Sequence, residues 1–97
     1  MTGIHDLRGF QYDLLVVISG VGTANGQTIL AELQSSLSDD VKPGRLYDNL
    51  DELVEIGLLD CATEGRSNQY TLTEKGERFV KERHEWEQTL FDEQAGR

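Results

Sequence analysis

Residues Val41 to Thr73 read VKPGRLYDNLDELVEIGLLDCATEGRSNQYTLT. Pro43 suits the first position of a helix, where its missing N–H and fixed φ cost nothing. Behind it Leu46, Leu50, Leu53 and Val54 recur at helical spacing and face inward. Gly57 suits the left-handed position that closes such a helix, so the spacing predicts a helix over about 43–56. Leu59 and Cys61 alternate with polar residues on one strand, and Tyr70 and Leu72 do so on the next. Glu64-Gly65-Arg66-Ser67 forms the tip between them, within a hairpin end at about 62–68. Thr73 is then placed to cap another helix.

Working outward, Phe10, Leu14, Val17 and Ile18 predict a first helix over roughly Leu7 to Ser19, ended by Gly20 and Gly22. Thr23 and Asn25 are both good N-caps for a second helix from Gly26 to Leu37, where Ile29, Leu30, Leu33 and Leu37 make the apolar stripe. Ser38-Asp39-Asp40-Val41 forms the turn before Pro43. A last helix runs from about Glu74 to Gln94, and most of it is charged. The expected fold is mainly α with a small β-hairpin wing (α+β), the layout of a winged helix-turn-helix. Residues 1–73 would form the winged unit and 74–97 a C-terminal helix, within one compact domain.

The chain has 97 residues, near the lower end of what buries a self-sufficient core, so a partner surface is expected. Its longest apolar run, Leu14 to Ile18, is far too short to span a bilayer, and no secretory signal is visible at Met1 to Asp6. The single cysteine, Cys61, excludes an internal disulfide and fits a reducing cytoplasm; its strand position predicts a small buried apolar residue. The two histidines, His5 and His84, lie far apart, and neither Cys-x-x-Cys nor His-Glu-x-x-His occurs. No glycine-rich phosphate loop follows a strand. Neither a cofactor, a metal nor an enzyme activity is expected.

Eighteen carboxylates face nine cations, a net charge of −9. Nucleic-acid binders are ordinarily basic, because phosphate neutralisation supplies most of their affinity. Either the chain does not bind DNA, or it works in molar salt, where a carboxylate-rich surface stays hydrated and repulsion is screened within about 3 Å. The acids are spread over the whole chain and spare the surface expected to face DNA, which favours the second reading. Lys42, Pro43, Gly44 and Arg45 combine positive charge, small size and free backbone N–H groups, the set a helix head needs against phosphates and base edges. Asn49, one turn on, can reach an adenine edge. Arg66 at the tip suits phosphate or minor-groove contact, with Ser67 and Asn68 adding neutral hydrogen bonds. Thr23 and Gln27 are candidates for backbone phosphates, with ordinary capping as the alternative. Tyr47 is read as a wall of the core whose hydroxyl reaches a phosphate. Double-stranded DNA is the expected partner.

In the last helix Phe79, Trp86 and Leu90 follow a 7 then 4 spacing, with Val80 and Phe91 alongside and Arg83 within the stripe. This is the seam a homodimer contact would use; packing back on the first helix is the alternative.

Gly44-Arg45-Leu46-Tyr47, Leu50 and Leu53, Gly57-Leu58-Leu59, and Tyr70-Thr71-Leu72-Thr73 with Gly76 together resemble the signature of PadR-type transcriptional regulators. The resemblance covers about Phe10 to Arg83 and is similar to the branch found in halophilic archaea, including small host or viral repressors. It implies a homodimeric winged-helix repressor on a pseudo-palindromic operator, dimerised through the C-terminal helix. Some members release DNA on binding a small ligand; an effector here is unknown. Two positions depart from the pattern: Asp48 stands where the family often has Pro, and Lys42 where many members have a Ser or Thr cap. The rival reading is an acidic winged-helix adaptor or DNA mimic, whose carboxylates are the binding surface.

Overall fold

Four helices form where the apolar spacing sets them: α1 (Gly9–Val21), α2 (Gly26–Leu37), α3 (Pro43–Glu55) and α4 (Glu74–Ala95). Three strands complete the fold: β1 (Ala24–Asn25), β2 (Leu59–Glu64) and β3 (Ser67–Leu72). The computed structural model describes residues 9–37 and 41–95. The expected helix start at Leu7, the turn Ser38–Asp40 and His5 lie outside these residues, as does the side chain of Leu37.

The sheet is antiparallel in the order β1-β3-β2. β2 and β3 pair from Leu59↔Leu72 to Glu64↔Ser67, leaving Gly65 and Arg66 as a two-residue turn. Gly65 has φ 62, the left-handed value that the first position of a type II′ hairpin turn requires. β1 was not expected. It pairs Ala24 with Tyr70 and Asn25 with Gln69, so the cap of α2 is also an edge strand.

The core gathers Leu14, Leu15 and Ile18 of α1, Ile29 and Leu33 of α2, and Leu46, Leu50 and Leu53 of α3. Leu58, Leu59, Tyr70 and Phe79 close it from the wing and α4. Truncating any of these leucines to alanine costs about 2–5 kcal/mol, a large share of a small domain's stability.

Two expectations are corrected here. Phe79 is 5% exposed and belongs to the core, so the first turns of α4 pack on the chain's own helices. Cys61 is exposed. β2 is an edge strand whose first residue alone, Leu59, lies over the core; beyond it the strand projects as wing, and alternation no longer predicts burial.

The end of α3 and the start of α4 are locked together. Gly57 (φ 85) donates to the Val54 carbonyl and Leu58 N–H to the Leu53 carbonyl, the bond pair of a Schellman closure. Thr73 Oγ1 donates to the Gly57 carbonyl at 2.7 Å and accepts from Gly76 N–H at 3.0 Å, capping α4. Lys75 Nζ donates to the Ile56 carbonyl at 2.9 Å. Gly76 packs so tightly that any Cβ there would collide with the Leu58 carbonyl oxygen.

Candidate nucleic-acid interface

Lys42 is the N-cap of α3, with φ −78 and ψ 136, and no side chain caps the helix. The first-turn N–H groups are thus left for an outside acceptor. Lys42, Pro43, Gly44 and Arg45 are all exposed. They line one concave surface together with Asp48, Asn49 and Glu52.

One face of α3 turns toward the start of α1. The Arg45 guanidinium carbon lies 4.0 Å from the centroid of the Phe10 ring. Gln11 Nε2 donates to Glu52, anchoring the two helices a little farther along. Asn49 is largely buried, and its amide donates to the Arg45 carbonyl at 2.8 Å. An expectation that Asn49 reaches a base edge therefore meets a side chain bonded back onto its own helix. The outward row is Gly44, Asp48, Asp51 and Glu55, all exposed, so positive charge on α3 is confined to its head.

A second feature lies where α2, α3 and the wing meet. Gly26, Gln27, Tyr47, Arg66, Ser67 and Asn68 line a polar notch of about 270 Å³. Tyr47 is 40% exposed, not a wall of the core, and its ring and hydroxyl lie across Gly26. The absence of a side chain at position 26 is what lets the phenol reach the head of α2. Asn25 Oδ1 accepts from Thr28 N–H at 2.9 Å and is the cap of α2. Thr23, the other cap candidate, has its hydroxyl 3.2 Å from that of Thr71 on β3. At the wing, Asn68 accepts from the Thr63 hydroxyl at 3.1 Å across the strands. Among the described residues, Lys42, Arg45 and Arg66 form no ion pair; the pair present is Arg83–Glu87 at 4.0 Å.

On α4 the expected dimer stripe divides. Phe79 is in the core, Val80 packs against it, and Arg83 sits over the rings of Tyr12 (5.1 Å) and Trp86 (5.3 Å) of its own chain. Trp86, Leu90 and Phe91 stay exposed, Phe91 at 71%. Tyr12 also donates to Glu87 at 3.3 Å; burial first, then the Glu87 carboxylate, pushes its pKa above the ordinary 10.0. Tyr70 is raised too, chiefly by burial and next by Cys61. A hollow of about 440 Å³ lies between the end of α1, β3 and α4, floored by Ile18, Leu72 and Val80. None of its polar side chains is buried.

Nothing in the sequence signals Phe10 as the partner of Arg45, or Gly26 beneath Tyr47. Both follow from how the helices cross.

The profile of the transcriptional regulator PadR-like family matches residues 14–82, most of the chain. The chain belongs to the PadR-like family. Among solved structures, RosR from H. salinarum is 38% identical, with a TM-score of 0.84 over 90% of this chain and 79% of that one. The complex of hsRosR-S1 gives 36% identity and a TM-score of 0.86 over 93% of this chain and 80% of that one. F93 from STIV, described as a winged-helix DNA-binding protein, is 24% identical over 87% of this chain and 92% of that one; its TM-score of 0.76 shows the shared fold. A search by sequence among curated proteins gave no match. This PadR-like chain is thus a winged-helix, DNA-binding transcriptional regulator rather than an enzyme. No helix among its described residues is long and apolar enough to cross a membrane.

Proposed function

We propose that the chain is a homodimeric repressor that acts in the cytoplasm by occupying a pseudo-palindromic operator. The head of α3, with Lys42, Pro43, Gly44 and Arg45, enters the major groove. Arg66, Ser67 and Asn68 of the wing lie on the backbone or in the minor groove, and Tyr47 and Gln27 hold a phosphate beside them. The observation that carries this reading is the charge pattern. In a chain of net charge −9, Lys42, Arg45 and Arg66 stand exposed without ion pairs among the described residues, on the two elements that a winged helix presents to DNA.

Dimerisation through Trp86, Leu90 and Phe91 would bury the apolar surface that the second half of α4 leaves open. Two recognition helices about 34 Å apart then read two half-sites one turn apart, and the basic contacts double. The acidic remainder of the surface suits a cytoplasm of high salt, where repulsion from the duplex is screened.

The test is duplex binding from about 0.2 to about 3 M KCl, with wild type beside Arg45→Ala. Wild type should bind within that range and Arg45→Ala more weakly throughout; no binding at any salt overturns the proposal. The outward row Asp48, Asp51 and Glu55 favours the rival, an adaptor for a basic protein. Under that reading, neutralising those three carboxylates weakens the partner while Arg45→Glu is silent.

A further inference from the structure

We propose that Phe10 is a positioning residue for DNA binding: its ring holds the Arg45 guanidinium in the orientation from which it grips the duplex. The inference rests on the reading of Arg45 as a DNA contact.

Arg45 is the third residue of α3, inside the turn where the helix dipole repels a cation. It is exposed and has no carboxylate partner among the described residues. A long side chain in that setting would sample many rotamers, and ordering it on binding would cost affinity. The ring of Phe10, 4.0 Å beneath the guanidinium carbon, removes that freedom in the unbound protein. With its central carbon 4.0 Å over the ring centroid, the guanidinium can lay its flat face on the ring. The N–H donors lie in its plane and stay available for two phosphate oxygens or for the O6 and N7 of guanine.

Both sides of the stack are themselves fixed. Phe10 packs against the core, and its neighbour Gln11 donates to Glu52 of α3. Asn49 secures the Arg45 backbone by donating to its carbonyl. The buried amide of Asn49 thereby acquires a role: it supports the contact residue instead of making a contact. An aromatic face is what the position needs, since leucine would fill the space without attracting the cation.

The experiment uses the full chain and a short labelled duplex selected by the wild-type protein from a random pool. Binding is followed by anisotropy for Phe10→Leu, Phe10→Tyr, Arg45→Ala and the Phe10→Leu/Arg45→Ala double variant. Phe10→Leu should weaken binding about two- to fivefold per half-site, hence about five- to thirtyfold for the homodimer. Phe10→Tyr should bind like wild type. In the Arg45→Ala background Phe10→Leu should have no further effect, a non-additivity that a general packing defect would not produce. The salt slope should fall by about two on Arg45→Ala, one for each copy in the dimer, if the contact is a phosphate, and stay unchanged on Phe10→Leu.

Wild-type or tighter binding by Phe10→Leu overturns the proposal, the latter by showing that the stack holds Arg45 away from DNA. Additive losses in the double variant overturn it as well. If Arg45→Ala binds like wild type, or the pool yields no duplex, the DNA-interface reading falls and the proposal with it. Weak binding by Arg45→Ala beside an unaffected Phe10→Leu removes the proposal alone.

Discussion

Tyr47 lies across Gly26 so closely that a methyl group on the glycine would come 2.5 Å from the phenol ring and hydroxyl. The first residue of α2 and the fifth of α3 are thus fitted to each other, and the phenol forms one wall of the notch beneath Arg66. Tyr47 is substantially exposed, so a methyl at position 26 would push the ring outward rather than unfold the protein. Gly26→Ala should leave stability within about 1 kcal/mol of wild type, the helix-propensity gain offsetting the strain, while weakening DNA binding. Tyr47→Phe, which removes only the hydroxyl, should cost about 1 kcal/mol of binding. Thermal melts beside duplex titrations separate the two effects.

Arg66 occupies the second position of the wing turn, exposed and unpaired among the described residues. Arg66→Ala should leave the melting temperature unchanged, because the tip carries no core residue. Its expected signature is a salt slope lower by about two for the homodimer, one for each wing. An unchanged slope would remove Arg66 from the phosphate contacts.

Gly76→Ala should destabilise by about 2–3 kcal/mol. Alanine is favoured over glycine inside a helix by up to about 1 kcal/mol. Here the added carbon meets the Leu58 carbonyl oxygen, a backbone atom that cannot swing aside, and overpacking wins. Thr73→Ala, which deletes the cap on the same joint, should cost about 1–2 kcal/mol. Urea unfolding measures both.

The two halves of the α4 stripe should respond differently. Phe79→Ala opens the core and should cost about 3–5 kcal/mol of stability. Trp86→Glu or Phe91→Glu alters exposed positions, so each should keep the fold and shift sedimentation toward monomer. A wild-type sedimentation profile for both would exclude this seam as the dimer contact.

Alkaline stability follows from Tyr12 and Tyr70. Both pKa values are raised above 10.0, so the folded state keeps protons that the unfolded chain releases. Their contribution is intact below about pH 10 and is lost as pH rises through the raised values. Tyr12→Phe should flatten part of that loss in melts run from about pH 8 to pH 11.

Much of this was legible in residue order. The Pro43 start, the Gly57 stop, the Gly65 turn and the Thr73 cap each rest on local chemistry that tertiary packing did not override. What escaped depends on how elements cross. β1 is two residues long and exists because β3 lies beside it, so no pattern announces it. Cys61 alternates correctly but sits where its strand has left the core behind. Phe79 has the spacing of a dimer seam, yet α4 begins at a joint that presses its first turns inward. Tyr47 and Asn49 exchanged their expected environments, phenol outward and amide inward, because α1 crosses α3 on the side of Arg45 and Asn49.

The clasp of Thr73 on Gly57, braced by Lys75 on Ile56, ties the end of α3 directly to the start of α4, the rod that would join two copies. A dimer built on that rod would behave as a rigid caliper, its span set at the corner rather than by a tether. Such a gauge would tolerate substitutions within a half-site far better than one base pair inserted between them.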